Sequence, residues 1–176
     1  MRLTPLLIAP LALAAAAAAI AQERGPISAL RGHDANAPVD VQADRLEVQE
    51  RADRAIFVGN VQVRQAQLTL ATERLTVAYS SAGGIDIERL DASGGVVVRS
   101  PSETARGNFG IYDLERKLIT VVGDVELSQG GSRVSGQRLV IDLNSGRAVI
   151  EGGPAGVGSS GGRVTGRFTV PRRGGS

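Results

Sequence analysis

The sequence lacks cysteine and tryptophan, and its 176 residues include one histidine, three phenylalanines and two tyrosines. Without cysteine there is no disulfide framework, so the fold depends on its own sheet and core. His33 is the single histidine, and one such side chain disfavours both histidine-based acid–base catalysis and zinc binding by clustered histidines. Exposed aromatic platforms for stacking against sugars are also scarce, which disfavours a glycan-binding or glycan-cleaving module.

The first 21 residues have the layout of a secretory signal peptide. A short basic start precedes an apolar run of about 15 residues, which ends at the small-residue site Ala19–Ala21. The alternative, an uncleaved membrane anchor, needs a run nearer ~20 residues. We therefore predict a cleaved leader (1–21), a flexible segment (22–37), one domain (38–171), a basic, glycine-rich tail (172–176) and a periplasmic location.

The chain without its leader is almost neutral, because removing Arg2 from 20 basic residues leaves 19 against 18 acidic ones. This balance gives no indication of a nucleic-acid partner. A G-x-G-x-x-G match at 156–161 has no helix after it, and a G-x-S-x-G match at 158–162 has no histidine downstream. Carboxylates such as Asp124 and Glu126 alternate with apolar residues, as on a solvent-facing strand surface. We predict neither enzymatic activity nor a cofactor.

A strand pattern recurs four times around a glycine, with apolar residues at every second position and polar residues between them. A period of two predicts antiparallel strands with one apolar face, and no helical pattern follows the leader. The chain is therefore predicted to be all-β. The four copies are Ala55-x-Phe57-x-Gly59-x-Val61-x-Val63, Leu90-x-Ala92-x-Gly94-x-Val96-x-Val98, Ile119-x-Val121-x-Gly123-x-Val125-x-Leu127 and Ala148-x-Ile150-x-Gly152.

A second apolar column precedes each glycine strand and makes each unit a hairpin-like pair. Glycine inside a strand marks a bulge or bend, so its repetition predicts a bend shared by successive strands. Stacked bent pairs form a twisted double sheet, either a β-jellyroll or a short β-solenoid, whose interior is filled by side chains or left open as a slot. The second column consists of Leu46-x-Val48, Leu75-x-Val77, Phe109-x-Ile111 and Leu139-x-Ile141.

Five segments of the sequence resemble the LptA (OstA-like) family of periplasmic lipopolysaccharide-transport proteins. They occur in the family's order and cover the chain from Pro38 to Pro171, behind an export signal. The segments are Pro38-Val-Asp-Val-Gln-Ala-Asp44 leading into Phe57-Val-Gly-Asn-Val-Gln-Val63, Gly123-Asp124-Val125, and Gly162-Arg-Val-Thr165 with Val170-Pro171.

The resemblance implies a V-shaped β-jellyroll whose inner groove holds the acyl chains of lipopolysaccharide. It also implies head-to-tail self-association into a bridge that joins an LptC-type subunit of an ATP-binding-cassette exporter to an outer-membrane LptD-type translocon. Arg64 and Arg99 are candidates for contact with lipid phosphates. The candidate groove residues are Leu46, Val48, Phe57, Val61, Val63, Leu75, Val77, Val96, Val98, Phe109, Ile111, Val121, Val125, Leu127, Leu139 and Ile141.

The sequence leaves one function of a different class open. A structural or adhesive β-solenoid with a filled core and no lipid ligand has the same apolar periodicity, because a groove wall and a packed sheet interior share one sequence pattern.

Overall fold

Ten antiparallel strands form one sheet in the computed structural model, which describes residues 33–81, 83–154 and 162–169. The predicted leader and tail, and most of the predicted flexible segment, lie outside these residues. No helix in the described part of the chain is long and apolar enough to cross a membrane. The strands are β1 Val39–Gln42, β2 Arg45–Gln49, β3 Arg54–Gln65, β4 Leu68–Ser80, β5 Asp86–Arg99, β6 Glu103–Asp113, β7 Leu118–Gln129, β8 Ser132–Asp142, β9 Arg147–Glu151 and β10 Thr165–Arg167.

Strands β3 to β8 each pair with their neighbours in sequence, and short turns connect them. The β8–β9 turn shows why these connections are tight. The Asp142 carboxylate accepts hydrogen bonds from the backbone N–H groups of Asn144 and Ser145, at 2.9 and 3.2 Å. The Ser145 hydroxyl, followed by the backbone N–H groups of Ser145 and Asn144, lowers the pKa of Asp142 below its usual value by hydrogen bonding to the carboxylate. An Asx turn of this kind fixes the register of the hairpin that follows it.

A one-residue bulge interrupts each of β3, β5 and β7 at its repeated glycine. At each bulge two successive residues have positive φ, a conformation that only glycine, asparagine and aspartate adopt at low cost. The shared bend therefore occurs at three of the four repeated glycines, while Gly152 lies just beyond β9. The pairs and their φ angles are Gly59 (83°) and Asn60 (47°), Gly94 (87°) and Gly95 (87°), and Gly123 (84°) and Asp124 (45°).

The bulges divide the sheet into two halves. Strand β2 borders the first half-sheet at one end and β9 at the other, whereas β1 and β10 border the second. The first half-sheet contains 54–58, 74–80, 86–93, 109–113, 118–122 and 138–142, and the second contains 61–65, 68–72, 96–99, 103–107, 125–129 and 132–136.

Side chains from both half-sheets pack into one hydrophobic core, so the two halves face each other. Leu75 and Leu139 of the first half-sheet are fully buried, as are Val61 and Val125 of the second. Each such side chain contributes roughly 1.5–3 kcal/mol through burial. The sheet is bent into two layers along the line of bulges, and the inner face of each layer forms the core.

The bulges also set which residues point inward on each strand. Consecutive inward positions across the bend are four apart on β3, β5 and β7, as in Phe57 and Val61, so an even spacing is preserved. On β4, β6 and β8 the corresponding step is three, as from Thr72 to Leu75. Every second residue therefore points inward along the whole of β3, β5 and β7. On β4, β6 and β8 the inward positions shift by one residue at the bend.

Candidate functional site

Most of the residues predicted to line the groove lie on the inner face. Eleven of them belong to the buried core, where they contact side chains of their own and the facing half-sheet. These eleven are Val61, Val63, Leu75, Val77, Val96, Val98, Val121, Val125, Leu127, Leu139 and Ile141.

The inner face is uncovered at the β2 end of the first half-sheet. Leu46 and Val48 pair with Phe57 and Ala55, whose side chains pack against the core, so all four lie on the inner face. Phe57 is half-buried, but Leu46 and Val48 are 53% and 54% exposed, because β2 is an edge strand and no residue of the described ranges packs over it. An apolar surface therefore runs from solvent into the core at this end.

The inward placement predicted for Phe109 and Ile111 is wrong. On β6 the buried positions are Gly110 and Tyr112, and neighbouring side chains on a strand point to opposite faces. Phe109 is accordingly 56% exposed on the outer face, where it is paired with Val122. The three-residue step on β6 is the reason, since the glycine at 110 takes the inward position that an apolar residue was expected to fill.

Tyr112, which the sequence pattern did not identify, joins the two layers. Its hydroxyl donates to Gln65 Oε1 at 2.9 Å, and His33 Nε2 lies 3.1 Å from the same oxygen. Gln65 Nε2 in turn donates to the backbone carbonyls of Ala35 and Ala37. Burial raises the pKa of Tyr112, although the hydrogen bond with Gln65 opposes this effect. This network closes the gap between the strand ends of the two half-sheets.

Little free space remains between the layers beneath this network. The apolar cavity there has a volume of about 20 Å³, and its lining comes from both half-sheets, including Val63 and Leu70 of one and Leu90 and Ile119 of the other. A single water needs about 10–15 Å³. Side chains thus fill the interior at this point.

A buried carboxyl group lies at the start of β6 in the second half-sheet. Glu103 is 6% exposed, and its Oε1 accepts a hydrogen bond from Gln129 Nε2 at 3.0 Å. Burial removes water from this carboxyl and raises its pKa from 4.5 to about 7. Its charged form is therefore disfavoured in the folded protein.

The raised pKa predicts that stability falls as pH rises from 4.5 to about 7. In this window the folded protein binds more protons than the unfolded chain, so the free energy of unfolding decreases with pH, by about 3 kcal/mol at most. Glu103→Gln should abolish this decrease and raise the urea midpoint at pH 8. Glu115→Gln, in an exposed turn, is the control. Equal pH profiles for wild type and Glu103→Gln would contradict the assignment.

Arg64 and Arg99 lie on the exposed outer face of the second half-sheet. Thr69 of β4 is paired with both, so two strand spacings, roughly 10 Å, separate them. They belong to one row of cross-strand pairs that extends over the whole half-sheet. The row is Asp40, Arg64, Thr69, Arg99, Thr104, Ser128, Arg133 and Arg167.

Residues 40–147 match the family described as "LptA/(LptD N-terminal domain) LPS transport protein". The match includes all three glycine bulges and the strands from β3 to β8. The chain belongs to this family. The resemblance recognised in the sequence is therefore confirmed, and the family is one of lipopolysaccharide-transport proteins rather than of enzymes.

One curated relative, an uncharacterized protein of Rhizobium meliloti (strain 1021), is 33% identical over 121 residues. The alignment covers 65% of this chain and 65% of the relative, so the chain spans about two thirds of that protein's length.

The fold is similar to that of LptH from Pseudomonas aeruginosa, described as "the LptA homologous periplasmic component of the conserved lipopolysaccharide transport device". The TM-score is 0.67 at 18% sequence identity, and the match covers 78% of this chain and 99% of LptH. The predicted LptA-like β-jellyroll is thereby confirmed.

Proposed function

We propose that this protein is a periplasmic carrier that holds the acyl chains of lipopolysaccharide against its inner face. The observation that supports this role is the continuity of that face. It begins at Leu46 and Val48, which are exposed at the β2 edge, and continues through Phe57 into the core. An aliphatic surface that is open to solvent at one end offers acyl chains a place to begin binding.

Burial of the lipid supplies the free energy for loading. Each CH₂ removed from water contributes about 0.8 kcal/mol, so burying several groups of one chain offsets the loss of a few hydrogen bonds. An acyl chain enters the filled interior only if the two layers separate, which breaks the Tyr112–Gln65 hydrogen bond, at a net cost of about 1 kcal/mol, and also the apolar contacts between the two inner faces. Lipid entry from the β2 edge is therefore favourable where the acyl chains replace the apolar contacts that the separating layers lose.

The ends of the sheet are suited to joining subunits. Among the described residues, strands β1 and β2 pair on one side only, with β3, and strands β9 and β10 pair on one side only, with β8. The backbone groups left at such edges accept a strand from another chain, which is β-augmentation. We propose that these edges support head-to-tail self-association and contacts with an LptC-type inner-membrane subunit and an LptD-type outer-membrane translocon.

A structural or adhesive β-solenoid without ligand remains the second candidate. The observation in its favour is the cavity of only about 20 Å³, since a core filled by its own side chains has no need of a lipid. In that case Leu46 and Val48 would serve only as contacts between copies of the chain.

Photo-crosslinking from adjacent positions of β2 distinguishes the two functions. A photoreactive side chain at position 46 or 48 lies on the open inner face, whereas one at Glu47 lies on the outer face of the same strand. With purified protein and lipopolysaccharide, the carrier function predicts lipid adducts from 46 and 48 and few from 47. The filled solenoid predicts no excess over position 47, and that result would contradict the carrier proposal.

A further inference from the structure

An open concavity of about 790 Å³ lies at the β10 end of the second half-sheet. It is formed by β6, β7, β8 and β10 with the turns at 100–102 and 130–131. Its volume is within the range of small-ligand sites, roughly 300–1,000 Å³. We refer to it as the polar bowl.

Hydroxyl groups dominate the lining of the polar bowl. Seven of the fifteen lining residues are serine or threonine, and Pro101 is the only one with an apolar side chain larger than hydrogen. Thr104 and Ser128, paired across β6 and β7, belong to the outer-face row that contains Arg64 and Arg99. Hydroxyl groups both donate and accept hydrogen bonds, as the hydroxyls of a sugar require of a binding site.

Two arginines give the polar bowl a positive side. Arg133 and Arg167 are direct cross-strand partners on β8 and β10, so their Cα atoms lie roughly 5 Å apart. Arg133 Nε contacts Glu126 Oε1 at 3.2 Å, and Arg167 is exposed. Glu126 lies outside the lining, and the one carboxyl among the lining residues, Glu103, is buried and hydrogen-bonded to Gln129.

The chemistry of the polar bowl fits a phosphorylated sugar. Guanidinium groups bind phosphate through paired N–H donors, and the hydroxyl lining suits the sugar to which the phosphate is attached. We propose that the polar bowl binds the phosphorylated sugar portion of lipopolysaccharide while the acyl chains occupy the inner face. This inference rests on the proposed carrier function and adds to it a separate site for the polar part of the same molecule.

A protein partner fits the polar bowl less well. Protein interfaces concentrate their binding energy in apolar and aromatic anchors that fill pockets at the centre. The bowl offers hydroxyls and glycines at its centre and no aromatic residue in its lining. A small polar ligand matches the side-chain surface of the bowl better than a neighbouring subunit does, because the proposed subunit contact at this end uses the backbone edge of β10.

The test uses the full mature protein and deacylated lipopolysaccharide, which keeps the phosphorylated sugars but has lost the chains that need the inner face. Binding is followed through the backbone amide resonances of Gly130, Gly131 and Gly166, which line the bowl. We expect saturable shifts of these three resonances. Glucose and inorganic phosphate, added separately, should each bind more weakly, because glucose lacks the phosphate group and inorganic phosphate lacks the sugar.

A matched pair of double variants tests the arginines. Arg133→Ser with Arg167→Ser should weaken binding of the deacylated probe by about tenfold or more, because charge-assisted hydrogen bonds to phosphate are lost. Arg45→Ser with Arg89→Ser makes the same charge change on the first half-sheet and should leave binding unchanged. Equal affinity of the two double variants would overturn the proposal.

Other outcomes separate this proposal from the carrier function. Absence of shifts with the deacylated probe, together with crosslinking of intact lipopolysaccharide at position 46, would overturn the polar bowl and keep the carrier. Binding of the probe without any crosslink at 46 or 48 would support the bowl and contradict the carrier. Equal binding of inorganic phosphate, or an effect of the arginine variants on self-association alone, would overturn the assignment to a phosphorylated sugar.

Discussion

Val61→Arg is expected to unfold the domain. Val61 is 0% exposed in the centre of β3, immediately after the Gly59–Asn60 bulge, and its cross-strand neighbour is the buried Thr72. A guanidinium group at this position has neither water nor an acidic partner on the apolar inner face, so its desolvation is uncompensated. We expect the free energy of unfolding to fall by at least about 4 kcal/mol, which is comparable with the whole stability of many domains.

Gln62→Arg is the matched control, because it places the same side chain one residue further along the same strand. Gln62 is exposed on the outer face, paired with Gln42 and Ala71. We expect its urea midpoint to stay near that of wild type, since surface substitutions usually change stability by less than about 0.5 kcal/mol. Circular dichroism of the two variants in urea measures the difference. Similar midpoints would contradict the assignment of the inner face.

Gly94→Ala should lower the free energy of unfolding by about 2–3 kcal/mol. Gly94 has φ 87°, and a Cβ atom added there would lie 2.8 Å from the Glu73 Cβ atom. Positive φ costs a residue with a Cβ atom roughly 1–2 kcal/mol, and the close contact with the neighbouring strand adds to that cost. The substitution therefore combines backbone strain with steric overlap at the bend.

Two further glycines separate the contributions. Gly95 also has φ 87° but has no atom within 4 Å of an added Cβ. Gly95→Ala should therefore be destabilised by backbone strain alone, about 1–2 kcal/mol. Gly83 has neither a positive φ nor a close atom, so Gly83→Ala should be neutral or slightly stabilising. Urea unfolding of the three variants should give the order Gly94, Gly95, Gly83. A loss at Gly83 equal to that at Gly94 would contradict the bulge explanation.

The fold was accessible from the sequence because its main signal is local. Apolar residues at every second position identify a strand with one buried face, and repeated glycines identify where such strands bend. Along β3, β5 and β7 the spacing across each bulge is even, so a simple period of two correctly placed Val61, Val96 and Val125 in the core. The inward residues of these strands could therefore be predicted without knowing which strands they pair with.

The inward residues of β4, β6 and β8 were harder to predict, because they depend on the bulge in the neighbouring strand. On β4 and β8 the apolar pairs that begin at Leu75 and Leu139 lie beyond the three-residue step, so they were placed correctly. On β6 the inward residues are Gly110 and Tyr112, and the apolar Phe109 and Ile111 face outward. Neither the hydrogen bond from Tyr112 to Gln65 nor the closure of the interior has a sequence signal, because both require the two layers to meet.

Nearest-neighbour strand pairing has a consequence for the length of the molecule. From β3 to β8 every strand pairs with the next one in the chain, so each hairpin is a repeated unit that contributes strands to both layers. Duplication or deletion of one hairpin would change the long axis by two strand spacings, roughly 10 Å, without altering the cross-section. Evolution can therefore adjust the reach of such a protein in hairpin-sized increments while its inner and outer faces keep their chemistry.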